Sequence, residues 1–474
     1  MLFQEYFFIF LLPVIVFLYR ALPIRLANFF LTAAGLSFYA FCGKADILSV
    51  YAVSVMTWLF GIFIEKTKSL SAKKALLVAF LLIFAGLFVY VKTMTELRIV
   101  GFSYYILTAS GYLIEIAGGK RAVYNPLKAI SVISFFPIML QGPITDFNEL
   151  STGIAKEKKK IDCHILMNAI RRILLGYFKK LIIANRLAPI TEMVFNGGDY
   201  NGFVVFTGLL IYSVRLIADF TGGIDIAIGI AELFGIRLPE NFNKPLLAVS
   251  LSDFWSRWHI TLSKWFASNV FYPLSIRISA IKGIEKLSKS MRRKIPVYMA
   301  ALATWSLTGL WHGIGLNFLC WGLANAVILI TSFSFKGKYD KFHKNMSFSN
   351  GKPYRIFMMV RTFVIVSFLR SFDLHKSPVE AVLSVFRVRG DDFSDFISRV
   401  MNISEMNVLI LIFTIVAVVC VMIYDNNDKK SENNMSLKYF TISLIKNAAI
   451  FIMIVLFGAY GTEFKITDFI YGKF

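Results

Sequence analysis

Trp305-Ser-Leu-Thr-Gly-Leu-Trp-His-Gly-Ile-Gly315 sets one ionisable side chain, His312, between two apolar runs, 297–311 and 316–332. Each run approaches the about 20 mainly apolar residues that cross a bilayer as a helix. Runs of the same kind recur at 7–22, 25–41, 47–64, 76–91, 102–116, 203–217, 224–234, 356–369, 408–424 and 441–460. Of the 474 residues, 57% are hydrophobic and 17% charged, against about 45–50% apolar in a soluble domain. The mean hydropathy is +0.64. A soluble chain of this composition would expose too much apolar surface, so the solvent is lipid. The fold expected is all-α and integral to the membrane, with about ten to twelve spans. The stretch 129–140 reads as a re-entrant or interfacial helix.

The formal net charge of +22 is explained by lipid rather than by nucleic acid. The positive charges sit in loops between the apolar runs: Lys66 to Lys74, Lys120-Arg121, Lys156 to Lys160, Lys282 to Lys294, Lys336 to Lys344 and Lys429-Lys430. Positive loops stay cytoplasmic. With the N-terminus outside, Arg20, Arg25, the 65–74 loop and Lys120-Arg121 all fall inside. The segment 1–22 carries acidic Glu5 and no small-residue cleavage site, so it reads as a first span rather than a cleaved signal. Cys42, Cys163, Cys320 and Cys420 are scattered without a Cys-x-x-Cys spacing, and neither a metal site nor a disulfide framework is expected. The polar stretches 142–163, 277–296, 333–355 and 425–438 are too short to hold a core of their own. The chain is therefore expected to be one membrane domain, 1–474.

The stretch 161–187 differs from the spans. Arg171-Arg172 and Lys179-Lys180 interrupt apolar triplets, which suits a helix lying in the interface with its cations reaching the headgroups. It is either a plain cytoplasmic connector or a surface that receives a cytosolic molecule.

Three constellations carry chemistry. His312 is an ionisable group at membrane depth and a functional candidate on that ground. Imidazole, with a reference pKa of about 6.5, suits proton transfer at neutral pH. Gly309 and Gly313 are spaced to admit a neighbouring helix and to leave room for a substrate. The bland reading is a core histidine hydrogen-bonded between helices. His259 lies in Asp253-Phe-Trp-Ser-Arg-Trp-His-Ile-Thr-Leu-Ser-Lys-Trp-Phe266. Read as a continuous helix, this segment puts Trp255, His259 and Ser263 on one face; the bland reading is an interfacial aromatic belt. The third is Ala218-Asp-Phe-Thr-Gly-Gly-Ile-Asp225. Each Asp at the bilayer centre costs roughly 2.5–3.5 kcal/mol on insertion scales. Two of them around Gly222-Gly223 suggest a broken helix facing a polar cavity, or acids paired to a cation such as Arg215.

Taken together these segments resemble the membrane-bound O-acyltransferases, in the branch of the bacterial alginate O-acetylases and the D-alanyl transfer protein of teichoic acids. The resemblance rests on Ile226-Ala-Ile-Gly229, on Phe234-Gly-Ile-Arg-Leu-Pro-Glu-Asn-Phe-Asn243, on Phe254-Trp-Ser-Arg-Trp-His-Ile-Thr-Leu-Ser263, and on Gly309-Leu-Trp-His-Gly313. It is extended by the opening Met1-Leu-Phe, by Val100-Gly-Phe-Ser-Tyr-Tyr105, by Gln141-Gly-Pro-Ile144, by Phe368-Leu-Arg-Ser371 and by the ending 457–474. After Phe266 the acetylases usually continue Arg-Asp-Tyr and a Pro-Leu-Gly-Gly turn; this chain reads Ala267-Ser-Asn-Val-Phe-Tyr-Pro-Leu-Ser275.

The resemblance implies a ring of helices around a central tunnel, with a histidine-motif core over about 100–332 and C-terminal helices over 354–474. It implies catalysis by His312 and His259, with Trp311, Asp219, Asp225, Glu240, Asn241, Trp255, Arg257, Trp258 and Ser263 lining or orienting the site. It implies no bound cofactor or metal. An acyl thioester, acetyl-CoA or an acyl carrier protein, would serve as donor. A polysaccharide outside a bacterial plasma membrane would serve as acceptor, and an extracytoplasmic SGNH-type protein as partner. Two other readings stand beside O-acetylation: D-alanyl transfer to teichoic acid, and a transporter or flippase.

Overall fold

The computed structural model describes residues 6–94, 99–155, 162–196, 200–346, 348, 351–388, 392–402, 408–423 and 437–459. The opening Met1-Leu-Phe, the lysines at 156–160, the polar tract 425–436 and the ending after 459 lie outside the described residues.

The described residues form helices α1 Tyr6–Ala21, α2 Ile24–Cys42, α3 Lys44–Lys66, α4 Leu70–Thr93 and α5 Phe102–Ala117, then the short α6 Pro126–Ile133 and α7 Phe147–Ala155. Next come α8 Cys163–Phe178, α9 Asn185–Asn196, α10 Gly202–Leu233, α11 Leu251–Arg257, α12 Ile260–Phe266, α13 Tyr272–Ser279, α14 Lys289–His312, α15 Leu316–Lys344 and α16 Lys352–Leu369. The chain continues through α17 Ser371–Leu374, α18 Pro378–Leu383, α19 Asp392–Met401, α20 Val408–Ile423 and α21 Leu437–Phe457. No strand occurs among the described residues.

By length and composition, six of these helices can cross a membrane: α2, α3, α4, α10, α15 and the Phe440–Phe457 part of α21. These six are counted among the described residues, and shorter apolar helices stand beside them at Phe8–Ala21, Pro126–Ile138 and Ile412–Val421, which fits the multi-span helical body expected. The runs 203–217 and 224–234 are one 32-residue helix, α10. α5 has only 16 residues. α14 begins with the cationic turn Lys289-Ser-Met-Arg-Arg-Lys294. The 129–140 stretch forms the end of α6 and a 3-10 turn, Phe136–Ile138, too short to cross.

Helix α10 is the axis of the protein. Most of its apolar window is buried in the protein, whereas α4 turns most of its window outward. Exposed Phe17, Leu48, Leu82, Val327 and Leu456 present side chains to lipid. α10 is also unbroken at Gly222-Gly223, contrary to the break expected there. Gly222 serves helix packing instead: a Cβ on it would stand 2.8 Å from the Gly176 carbonyl oxygen, and one on Gly176 2.6 Å from that of Gly222. The backbones of α8 and α10 are in contact.

The 161–187 stretch does not lie with its cations in the headgroups. α8 runs into a π-helical turn, Lys179–Ala184, before α9. Arg171, Arg172 and Lys180 are buried. Lys180 Nζ donates to Asp219 Oδ1 at 2.6 Å, and Lys179 Nζ to Asp225 Oδ2 at 2.5 Å. Arg172 donates to Asp225 at 3.2 Å and, with two nitrogens, to Glu240 at 2.8 and 2.6 Å. An extra residue in a helical turn rotates the residues beyond it, and here two successive lysines meet two acids six residues apart on α10. Acids and cations in the low-dielectric interior remove each other's cost. Arg215, the partner expected for the aspartates, instead donates to the Thr191 hydroxyl and approaches Glu192.

Candidate active site

The α14–α15 hairpin positions His312. A Cβ on Gly309 would come 2.3 Å from the Phe318 carbonyl oxygen, and one on Gly322 2.2 Å from that of Trp305. The two backbones therefore touch, as small residues permit between membrane helices. The space next to Gly309 is filled by α15 and is not left for a substrate. α14 ends at His312 because Gly313 is extended and Gly315 starts the next helix. His312 is thus buried at a helix terminus, held between Trp311 and Trp321 with ring centroids 5.0 Å away on each side.

The helix expected through 253–266 is broken at His259. α11 stops at Arg257 and α12 starts at Ile260, with His259 in the left-handed region at φ 47, ψ 52. Such a conformation costs a non-glycine residue about 1–3 kcal/mol and persists only where surroundings enforce it. The enforcing element is the Leu238–Asn243 loop. The Ile260 N–H donates to the Asn241 carbonyl at 2.9 Å, and the Asn243 N–H to the Arg257 carbonyl at 2.9 Å. The break separates the three residues expected on one face. His259 is 2% exposed, Trp255 packs on Trp305 and Trp321, and Ser263 is exposed.

Trp311 joins the two histidines. Its ring lies 6.0 Å from His259 and 5.0 Å from His312, and its indole N–H donates to the Ser103 carbonyl at 3.4 Å. Tyr104 stacks beside His259 at 6.4 Å, and Phe220, next to Asp219 on α10, meets it edge-on at 5.0 Å. Trp258 is buried against Phe254 and Phe220. His259 Nδ1 lies 3.2 Å from Asn241 Oδ1. His259, His312, Trp311, Asn241 and Trp258 thus form one buried, largely aromatic cluster, with half-buried Trp255 at its edge. Asp219, Asp225 and Glu240 stand apart from it in the ion pairs with α8. Arg257 pairs with Asp253 at 2.6 Å and reaches the Asn243 carbonyl.

Sequence reading missed Arg370. Its guanidinium lies 5.3 Å from the Trp258 ring and 5.8 Å from the Trp321 ring, and it donates to Asp373 Oδ2 at 3.0 Å. An arginine closing the apolar run 356–369 was the available signal. It also missed the 141–145 loop as part of the site. Ile144 donates its N–H to the Thr261 hydroxyl at 3.0 Å. Gln141 through both side-chain polar atoms, Thr145 through its hydroxyl and Asn241 through Nδ2 are buried without a hydrogen-bond partner among the described residues. Buried polar atoms are nearly always bonded in folded proteins, so these groups are open to water or to a polar ligand.

Arranged so, the cluster offers two imidazoles, an aromatic wall and amide groups in a region shielded from water, a setting suited to proton transfer and to the stabilisation of developing charge. The comparisons agree with that chemistry. The chain is 29% identical over 348 residues to a probable alginate O-acetylase AlgI of Azotobacter vinelandii, covering 68% of this chain and 66% of that protein. It is 32% identical over 216 residues to a peptidoglycan O-acetyltransferase of Helicobacter pylori, covering 45% of this chain and 38% of that protein. To a teichoic acid D-alanyltransferase of Bacillus subtilis it is 30% identical over 249 residues, 52% of this chain and 61% of that protein. The chain spans somewhat less than two thirds of the length of the alginate O-acetylases it matches. Residues 35–372 match the membrane-bound O-acyltransferase family, and that match, with a helical multi-pass body built around two buried histidines, makes the chain a member of this family.

Proposed function

We propose that the protein is an enzyme that transfers an acyl group, foremost acetyl, from a thioester to a hydroxyl of a polysaccharide at the bacterial cell surface. The observation that carries this is Trp311 holding His259 and His312 in one buried cluster. His312 acts as general base: it takes the acceptor hydroxyl proton as the oxygen attacks the thioester carbonyl. The carbon–sulfur bond then breaks, and the proton passes to the departing thiolate. General-base assistance is typically worth about 10²–10⁴-fold in rate. His259 lines the path of the acceptor or polarises the carbonyl.

The donor, acetyl-CoA or an acyl carrier protein, enters from the cytoplasm. The acceptor meets it from the opposite side of the plasma membrane, with the N-terminus outside and an SGNH-type protein completing transfer. D-alanyl transfer is the alternative within the same chemistry. The transporter reading loses its main support, since Asp219 and Asp225 are held by lysines in an unbroken helix.

The test is acylation of surface glycan in cells lacking the native gene. A well-folded His312→Ala protein giving wild-type product would overturn the catalytic assignment. Radiolabelled acetyl or D-alanyl product in the complemented cells decides the acyl group.

A further inference from the structure

Two donors of Thr261 and one ring nitrogen of His259 converge on Asn241 Oδ1. The Thr261 backbone N–H reaches it at 3.1 Å, the Thr261 hydroxyl at 2.9 Å and His259 Nδ1 at 3.2 Å. The Thr261 N–H fixes which end of the amide faces this point. A peptide N–H can only donate, so the oxygen, not the NH2, must face Thr261. The hydroxyl agrees, because it already accepts from the Ile144 N–H at 3.0 Å and has its own hydrogen left to give. Asn241 is fully buried, and its main-chain carbonyl is tied to Ile260. The amide therefore has no freedom to turn over.

An amide oxygen accepts and cannot donate. His259 Nδ1 must then carry hydrogen. In the neutral imidazole the other nitrogen, Nε2, is left with a lone pair and no proton. We infer that Asn241 is a positioning residue that fixes His259 as its Nδ1–H tautomer, so that His259 meets substrate as a proton acceptor through Nε2. The inference rests on the site proposed above and narrows it. Neutral His259 cannot polarise a thioester carbonyl through Nε2, because it has no proton there to give. It can accept a hydrogen bond from the acceptor hydroxyl, holding the oxygen for the proton transfer assigned to His312. The left-handed backbone at His259 belongs to the same device, since it is what turns the ring back towards the Leu238–Asn243 loop. A hydrogen-bond partner on one ring nitrogen is a general means of setting the chemistry of the other.

The experiment reads the tautomer directly. The full-length protein, 15N-labelled at histidine and reconstituted in lipid, is examined by NMR at neutral pH, and His259→Gln assigns the His259 ring by difference. The expected result is a protonated Nδ1 and a pyridine-like Nε2. A protonated Nε2 in the neutral ring overturns the inference, whatever the activity. Asn241→Leu removes the acceptor, and is expected to mix the tautomers and lower turnover about 10- to 100-fold. Asn241→Asp, which keeps an acceptor at the same place, should restore the tautomer and most of that turnover. Thr261→Val leaves its backbone N–H in place and should hold the Nδ1–H form; if it does not, the amide is not anchored as described. Should Asn241→Leu fail to fold, the wild-type and Asn241→Asp spectra still decide. A wild-type Nδ1–H ring together with full turnover by a folded His259→Gln would leave the tautomer standing and sink the catalytic reading of His259.

Discussion

Lys180 and Asp219 form an ion pair of 2.6 Å in which both side chains are about 1% exposed. The pair bridges the π-helical turn and α10, one residue from the Phe220 ring that packs on His259. Removing one member leaves a buried charge without its counter-ion, which costs roughly 3–5 kcal/mol, while replacing both with apolar residues is often neutral. Lys180→Met should therefore lower thermal stability sharply, and Lys180→Met with Asp219→Leu should recover most of it. Unfolding in detergent across the double-mutant cycle gives the coupling.

The Glu240 end of the same network behaves differently. Its carboxylate is about half exposed although it takes two bonds from Arg172. Solvent-exposed pairs contribute about 0–1 kcal/mol. Glu240→Gln should shift stability by no more than that and leave product levels near wild type, by the same assays.

Arg370 is held by ring faces as well as by charge. A planar guanidinium can sit over Trp258 and Trp321 while bonding Asp373; an ammonium cannot do all three. Arg370→Lys should cost about 2 kcal/mol and disorder the wall beside both histidines. A fall in turnover with donor KM little changed, and a lowered melting temperature, are the expected measurements.

Trp311 provides both surface and a hydrogen bond. Trp311→Phe keeps the ring and loses the bond to Ser103, a loss of about 1 kcal/mol. Trp311→Ala opens a cavity between the histidines and should cost about 3–5 kcal/mol. Turnover should fall in the same order, and a Trp311→Ala enzyme as active as Trp311→Phe would show that the bridge is dispensable.

The glycine contact is tested by contrast. Gly309→Leu drives a side chain into the α15 backbone and should abolish folded protein. Gly337→Ala, where a Cβ meets nothing within 4 Å, should be silent. Size-exclusion profiles of the two solubilised variants distinguish them.

Much of this was legible in the residues. The apolar runs gave a helical membrane protein, and the isolated His312 and aromatic-rich His259 segments gave the centre of the site. Asp219 and Asp225 were recognised as costly, but their solution was hidden. Lys179 and Lys180 read as interface cations because their pairing with the acids depends on the packing of α8 against α10, which local pattern does not show, and the π-helical turn they begin has no sequence signature. The helix through 253–266 was misjudged for a similar reason. The residues around His259 all suit a helix, and the break is imposed by hydrogen bonds from the Leu238–Asn243 loop. Arg370 and Ile144 reach the site from 58 residues after and 168 before His312, which local pattern cannot show.

The touching backbones of α14 and α15 also bear on redesign. His312 ends a strut whose glycines leave no slack, so evolution towards a new acceptor should find that wall closed to substitution. The opposite boundary is softer: Val270, in the π-helical turn Ala267–Phe271, packs against the apolar cluster that includes Trp311, and none of the five residues of that turn is buried. This is also the stretch that departs from the usual acetylase sequence. A library confined to 267–275 would test whether this stretch sets the choice of the proposed acceptor while the reacting centre stays in register.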